Sequence, residues 1–201
     1  MSAPSLPIHN DRMLRHLTRH HRQGFSLIEV LVTLVVVALG LLGLTALQAK
    51  LQLSEIDAYQ RAQALLLAQD MADRLATNRD NASAYSTTSA LGTGDHPAAN
   101  CAAEATIALR DRCEWSTALQ GAAETEGTML TGAMVGARGC VEAIGNDSYL
   151  ITVAWQGLTP LSAPSVGVSC GAGLYGASGS PCQNDLCRRA ITTIVRIGTM
   201  D

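Results

Sequence analysis

The chain has 201 residues, of which 47% are apolar, 15% charged and only 3% aromatic, with a net charge of −3. Apolar content this high, with so little net charge, excludes a disordered chain, and no basic excess supports nucleic-acid binding. So low a charged fraction is unusual for a soluble globule and implies either a small-residue core or apolar residues gathered in one stretch.

Residues 1–24 hold Arg12, Arg15, Arg19 and Arg22 against Asp11, a local charge of +3, which leaves −6 on residues 25–201. His9, His16, His20 and His21 lie in the same segment. His16 and His20 are spaced to share a helix face and hold a metal, but a basic targeting region is the plainer reading. The only Phe, Phe25, then opens the run FSLIEVLVTLVVVALGLLGLTALQA to residue 49, with Glu29 its sole ionisable side chain. About 20 helical residues cross a bilayer core, so residues 25–49 are long enough to span one. The arginine-rich flank predicts a single-pass anchor with the N-terminus cytoplasmic and the remainder on the far side of the membrane. The run is longer than the apolar region of a secretory signal, about 7–15 residues, and no small-x-small cleavage site closes it. A plain anchor leaves Glu29 unexplained, because a charge inside the membrane costs at least about 2.5 kcal/mol.

Gly40 and Gly43 fall inside the run, where they either loosen the helix or allow close helix approach. Residues 50–78 continue as a helix with no Pro or Gly, so that one helix over about 26–78 would be roughly 80 Å long. Its expected apolar stripe is Leu51, Ala58, Ala62, Leu65, Ala72 and Ala76, thickened by Ala64, Leu67, Met71 and Leu75. Asp57–Arg61 and Asp70–Arg74 are i, i+4 pairs in the favourable order. No sustained heptad supports a coiled coil.

Residues 79–201 form the predicted head. Asn78 to Ala99 is rich in Ser, Thr, Asn and Gly and reads as a loop. Ala108 to Gln120 reads as a short helix with Ala108, Trp115 and Leu119 on one face. Gly139–Ile144 and Ser148–Gln156 around Gly145-Asn-Asp147 read as a β-hairpin, and Ile191–Ile197 as a last strand. The second hairpin strand sets Tyr149, Ile151, Val153 and Trp155 against Leu150, Thr152 and Ala154, an alternation that predicts one buried face. The expected fold is α+β, an antiparallel sheet leaning on the C-terminal half of the long helix.

All six cysteines lie after residue 100, in the part expected to meet an oxidising compartment, and an even count there reads as three disulfides. Fifteen pairings are open, and the sequence-local set Cys101–Cys113, Cys140–Cys170 and Cys182–Cys187 is the expectation. Each would stabilise by about 2–4 kcal/mol, which matters in a head of 123 residues with five aromatics. A metal is not expected, because the C-x₂₋₄-C geometry lacks partners and the head has only His96. No cofactor is implied. Gly176-Ala-Ser-Gly-Ser180 is not a nucleophile elbow, and no phosphate loop or C-x-x-C occurs, so no enzyme is expected. Arg188, Arg189 and Arg196 are the head's basic cluster, expected as a solvated strand end.

Gly24-Phe25-Ser-Leu-Ile-Glu29-Val, preceded by Arg19, Arg22 and Gln23, resembles the leader of type IV pilins and type II secretion pseudopilins. That resemblance implies cleavage between Gly24 and Phe25 by a prepilin peptidase and N-methylation of Phe25. It makes residues 1–24 a cytoplasmic leader and Glu29 the fifth mature residue, neutralised by the Phe25 amine of a neighbouring subunit. LGLLGLTALQ (39–48), DMADRLATNR (70–79), YLITVAWQGLTP (149–160) and RRAITTIVRI (188–197) are most similar to PilV-type minor pilins. The family's mid-helix Pro is absent, with Gly40 and Gly43 in its place. The resemblance implies a structural subunit of a pilus or its tip complex. Implied partners are other minor and major pilins, the inner-membrane assembly platform and a tip adhesin. The alternatives are a minor pseudopilin of type II secretion and a membrane-anchored periplasmic enzyme.

Overall fold

The computed structural model describes residues 24–122, 125–126, 129–130 and 134–198. The basic segment 1–23, including His16 and His20, lies outside the described residues. The chain divides into two compact units, the first ending at Leu47 and the second starting at Gln48. Helix α1, Leu27–Thr77, is 51 residues long and contributes to both. In the first unit every described residue is exposed.

The second unit is an α+β domain. It contains the rest of α1, a short 3₁₀ helix (Arg79–Tyr85), strand β1 (Leu91–Gly92) and helix α2 (Ile107–Leu119). A two-residue ladder follows, β2 (Thr125–Glu126) with β3 (Met129–Leu130), and then β4 (Arg138–Gly145), β5 (Ser148–Gln156) and β6 (Arg188–Arg196). The main sheet has the order β1-β4-β5-β6 and all its pairs are antiparallel.

Local chemistry accounts for these elements. The Thr106 hydroxyl caps α2 by accepting the Leu109 N–H at 3.2 Å. Between β4 and β5 only Asn146 and Asp147 intervene, both at φ 49°, the left-handed conformation that a two-residue hairpin loop demands. Gly92 has φ 93°, and a Cβ there would sit 2.6 Å from the Ala137 carbonyl oxygen. Only glycine lets β1 lie that close to β4.

The core forms where α1 and α2 meet the inner sheet face. Ala64, Ala68, Met71, Ala72 and Leu75 of α1 join Tyr85, Trp115, Leu119, Val141, Ile151 and Val153. Large side chains such as Trp115, Met71 and Leu75, almost wholly buried, contribute about 1.5–3 kcal/mol each. The buried face of α1 includes Ala64, Met71, Ala72 and Leu75 of the expected set but is rotated from the rest of the stripe. Gln60, Ala64, Ala68, Met71, Ala72 and Leu75 are buried at helical spacing, whereas Leu51, Ala58, Ala62, Leu65 and Ala76 are exposed. Small alanines at 64, 68 and 72 allow the close approach that the leucines would block. Asp70 and Arg74 pair at 3.0 Å, but Asp57 and Arg61 form no ion pair among the described residues.

Three further readings are corrected. The segment 78–99 is not all loop, because Arg79–Tyr85 winds into a 3₁₀ turn that buries Ala82 and Tyr85, and Leu91–Gly92 adds an edge strand. The last strand starts at Arg188, not Ile191. Strand β5 is buried on both faces rather than one, with Thr152 and Ala154 nearly inaccessible. The reason is the connection from β5 to β6. Its Cys170 disulfide sulfur lies against the Thr152 carbonyl, and Arg188 donates to the carbonyls of Val168 (2.7 Å) and Cys170 (3.0 Å).

Three disulfides hold this arrangement. Cys101–Cys113 ties a second 3₁₀ turn (Cys101–Ala103) to α2, Cys140–Cys170 fastens the β5–β6 connection to β4, and Cys182–Cys187 closes a tight loop before β6. No cysteine is free.

Candidate functional site

The described chain begins with three exposed residues. Gly24, Phe25 and Ser26 precede α1 and are exposed, Phe25 to 84%. A Cβ built on Gly24 would meet no atom within 4 Å. Among the described residues nothing packs against Gly24. The Ser26 carbonyl starts the helix by accepting the N–H groups of Glu29 (3.0 Å) and Val30 (3.2 Å). Glu29 thus stands in the first turn, where its carboxylate complements the positive end of the helix dipole.

Beyond Glu29 the surface is apolar all round. The large side chains from Leu27 to Leu47 are 47–78% exposed. A helix apolar on every side requires lipid or other helices around it. By length and composition α1 can cross a membrane. Gly40 and Gly43 lie within uninterrupted helix, with open space where a side chain would be. Thr33 and Thr45 return their hydroxyls to the carbonyls of Val30 (2.8 Å) and Leu42 (2.9 Å), which removes two polar groups from this surface.

The head holds a polar network that sequence reasoning found only in part. Arg74 contacts Asp70, Asp111 (3.0 Å) and Glu114 (2.6 Å), and the Tyr85 hydroxyl donates to Asp111 while accepting from Asn78 at 3.1 Å. Burial raises the Tyr85 pKa to about 12, and the Asp111 hydrogen bond adds to it. Burial alone would lower the Arg74 pKa, but Glu114, Asp70 and Asp111 outweigh it and raise it. The Asp111-x-x-Glu114 spacing on α2 was the available signal. Arg188, expected in solvent, is 4% exposed and pairs with Asp185 at 3.2 Å. These groups lock elements together. Among the described residues no group of three or more His, Cys, Asp or Glu is placed to hold a metal.

Residues 19–45 match the family model of the prokaryotic N-terminal methylation motif. The match takes in the basic flank from Arg19, Gly24-Phe25, Glu29 and the first half of the apolar helix. No curated protein and no solved structure matches the chain. The motif is that of a type IV pilin-like leader, in a pilus or a pseudopilus. Proteins of this kind are structural rather than enzymatic. The motif implies processing by a prepilin peptidase and association with other pilins, and with the apolar helix it indicates membrane anchoring.

Proposed function

We propose that the chain is a minor pilin, a structural subunit incorporated into a type IV pilus or its tip complex. The observation that carries this reading is an exposed Gly24-Phe25 pair directly before a first-turn Glu29, followed by exposed apolar side chains on α1 from Leu27 to Leu47. Residues 1–24 are the cytoplasmic leader. Residues 25–49 anchor the chain in the bacterial inner membrane and then polymerise, residues 50–78 support the head, and residues 79–201 form it in the periplasm. A prepilin peptidase cuts after Gly24, and Phe25 is methylated. Glu29 accepts the Phe25 amine of the neighbouring subunit, which removes the cost of a lone carboxylate in an apolar filament core. Gly40 and Gly43 let neighbouring helices approach closely. Other minor and major pilins, the inner-membrane assembly platform and a tip adhesin are its partners.

The test is the mature N-terminus, read by mass spectrometry on protein from producing cells. N-methylated Phe25 is expected. A chain beginning at Met1, or one cut after the apolar run, would overturn the reading. A minor pseudopilin of type II secretion shares the same motif and predicts the same N-terminus. Co-purification with secretion components instead of pilus components would select it.

A further inference from the structure

The main sheet ends on β6, and the ladder determines which backbone groups that strand turns outward. The Gly157 N–H bonds the Cys187 carbonyl at 2.7 Å, and the Ile197 N–H bonds the Asp147 carbonyl at 2.8 Å. Between these two bonds the pairing keeps one phase, through Val153↔Ile191, Ile151↔Thr193 and Tyr149↔Val195. Odd-numbered residues of β6 therefore bond to β5. Ala190, Thr192, Ile194 and Arg196 turn their N–H and C=O groups away from the sheet.

The start of this edge is covered. Leu161 N–H bonds the Leu186 carbonyl at 2.7 Å, and Arg189 reaches the Thr159 carbonyl at 2.7 Å. From Ala190 onward no described residue bonds to the edge. Proteins usually blunt such edges with short strands, charged side chains, bulges, prolines or a covering segment, and from Ala190 to Val195 this strand carries no charge. β6 has nine residues in unbroken register and no proline.

The open end is also basic. Arg196, with Arg79 of the 3₁₀ helix, lines a groove of about 240 Å³ together with Ala76, Ile197 and Gly198. Arg79 and Arg196 are exposed, and among the described residues neither has a hydrogen bond or ion pair. Arg74 and Arg188, by contrast, both hold ion pairs and hydrogen bonds within the domain. A second copy is a poor occupant, since antiparallel pairing centred on Thr192 would set Arg196 opposite the Arg188 end of the other copy.

We infer that the free edge of β6 takes an extended acidic segment of a partner protein as an added strand. Its backbone bonds to Ala190, Thr192 and Ile194, and its carboxylate is held by Arg79 and Arg196. Main-chain bonding supplies affinity and the arginine pair supplies selection for acid. This inference goes beyond the pilin reading and does not depend on it.

The probe is a synthetic peptide of about eight residues that alternates Thr and Val behind an N-terminal Glu pair. It is titrated into the full-length chain in detergent micelles and followed by amide chemical shifts. Shifts are expected at Ala190, Thr192, Ile194 and Arg196. Replacing the Glu pair with Gln, or introducing Arg79→Glu with Arg196→Glu in the protein, should weaken binding by about tenfold, equivalent to about 1.4 kcal/mol. Methylating alternate amides of the peptide should abolish binding without touching the protein's fold. The inference is overturned by absence of binding, by equal binding of the Gln peptide, by shifts confined to another surface, or by self-association of the chain through Thr192.

Discussion

Gly139 faces the ring of Trp115 so closely that a Cβ on the glycine would lie 2.2 Å from Trp115 Cη2 and 2.7 Å from Leu119 Cδ1. Trp115 itself is fixed, wholly buried with its indole N–H donating to the Leu67 carbonyl at 2.9 Å. β4, α2 and α1 are thus fitted to one another through a missing methyl group. Gly139→Ala should destabilise the head by about 1–3 kcal/mol, the usual cost of overpacking a closed core. Thermal unfolding followed by near-ultraviolet circular dichroism would read it. An unchanged melting temperature would show that Trp115 can move aside.

Tyr85 gives the head an alkaline limit. Its folded pKa is about 12 against 10 in an unfolded chain. A raised pKa contributes stability that is complete below the unfolded value and lost as pH rises through the folded one. Stability should therefore fall between about pH 10 and pH 12 by roughly 2 kcal/mol from this group. Tyr85→Phe should remove that component of the alkaline slope, as measured by urea unfolding across the range.

The Cys140–Cys170 bridge fastens the β5–β6 connection across the outer sheet face. Replacing both cysteines with Ser should cost about 2–4 kcal/mol and loosen residues 158–169, which are already mostly exposed, so that protease cuts them faster. The inner core does not include these residues, so tryptophan emission from Trp115 should change little. Limited proteolysis with mass mapping checks the first expectation and fluorescence the second.

Glu29 should matter to assembly and not to insertion. Glu29→Ala leaves an apolar helix that enters the membrane at least as readily, because a carboxylate costs at least about 2.5 kcal/mol there. Pilus association should nevertheless drop several-fold in sheared-pilus fractions, with membrane levels unchanged. Wild-type association would remove Glu29 from the assembly contact.

Much of this architecture was legible in the residues. Strand alternation and the Gly145-Asn-Asp147 turn located the β4–β5 hairpin, and Ala108, Trp115 and Leu119 all point into the core as their spacing requires. The α1 face was harder, because Leu65, Leu66 and Leu67 supply apolar residues on more than one side. The choice fell to alanines whose small size matters only once a sheet is present. Arg188 was misplaced for a related reason. Its partners are backbone carbonyls of Val168 and Cys170, twenty and eighteen residues away, and carbonyls have no sequence signature. The N-terminal methylation motif, matched over residues 19–45, was the most legible feature, since it depends on adjacent residues and one apolar run.

The three bridges join Cys101 to Cys113, Cys140 to Cys170 and Cys182 to Cys187, so none encloses or crosses another. For a chain delivered from its N-terminal end, each cysteine that closes a bridge arrives while a single unpaired thiol is waiting. Oxidation in order of arrival yields the native set directly. Pairing in that order requires no reshuffling of bridges, a process that takes seconds to hours.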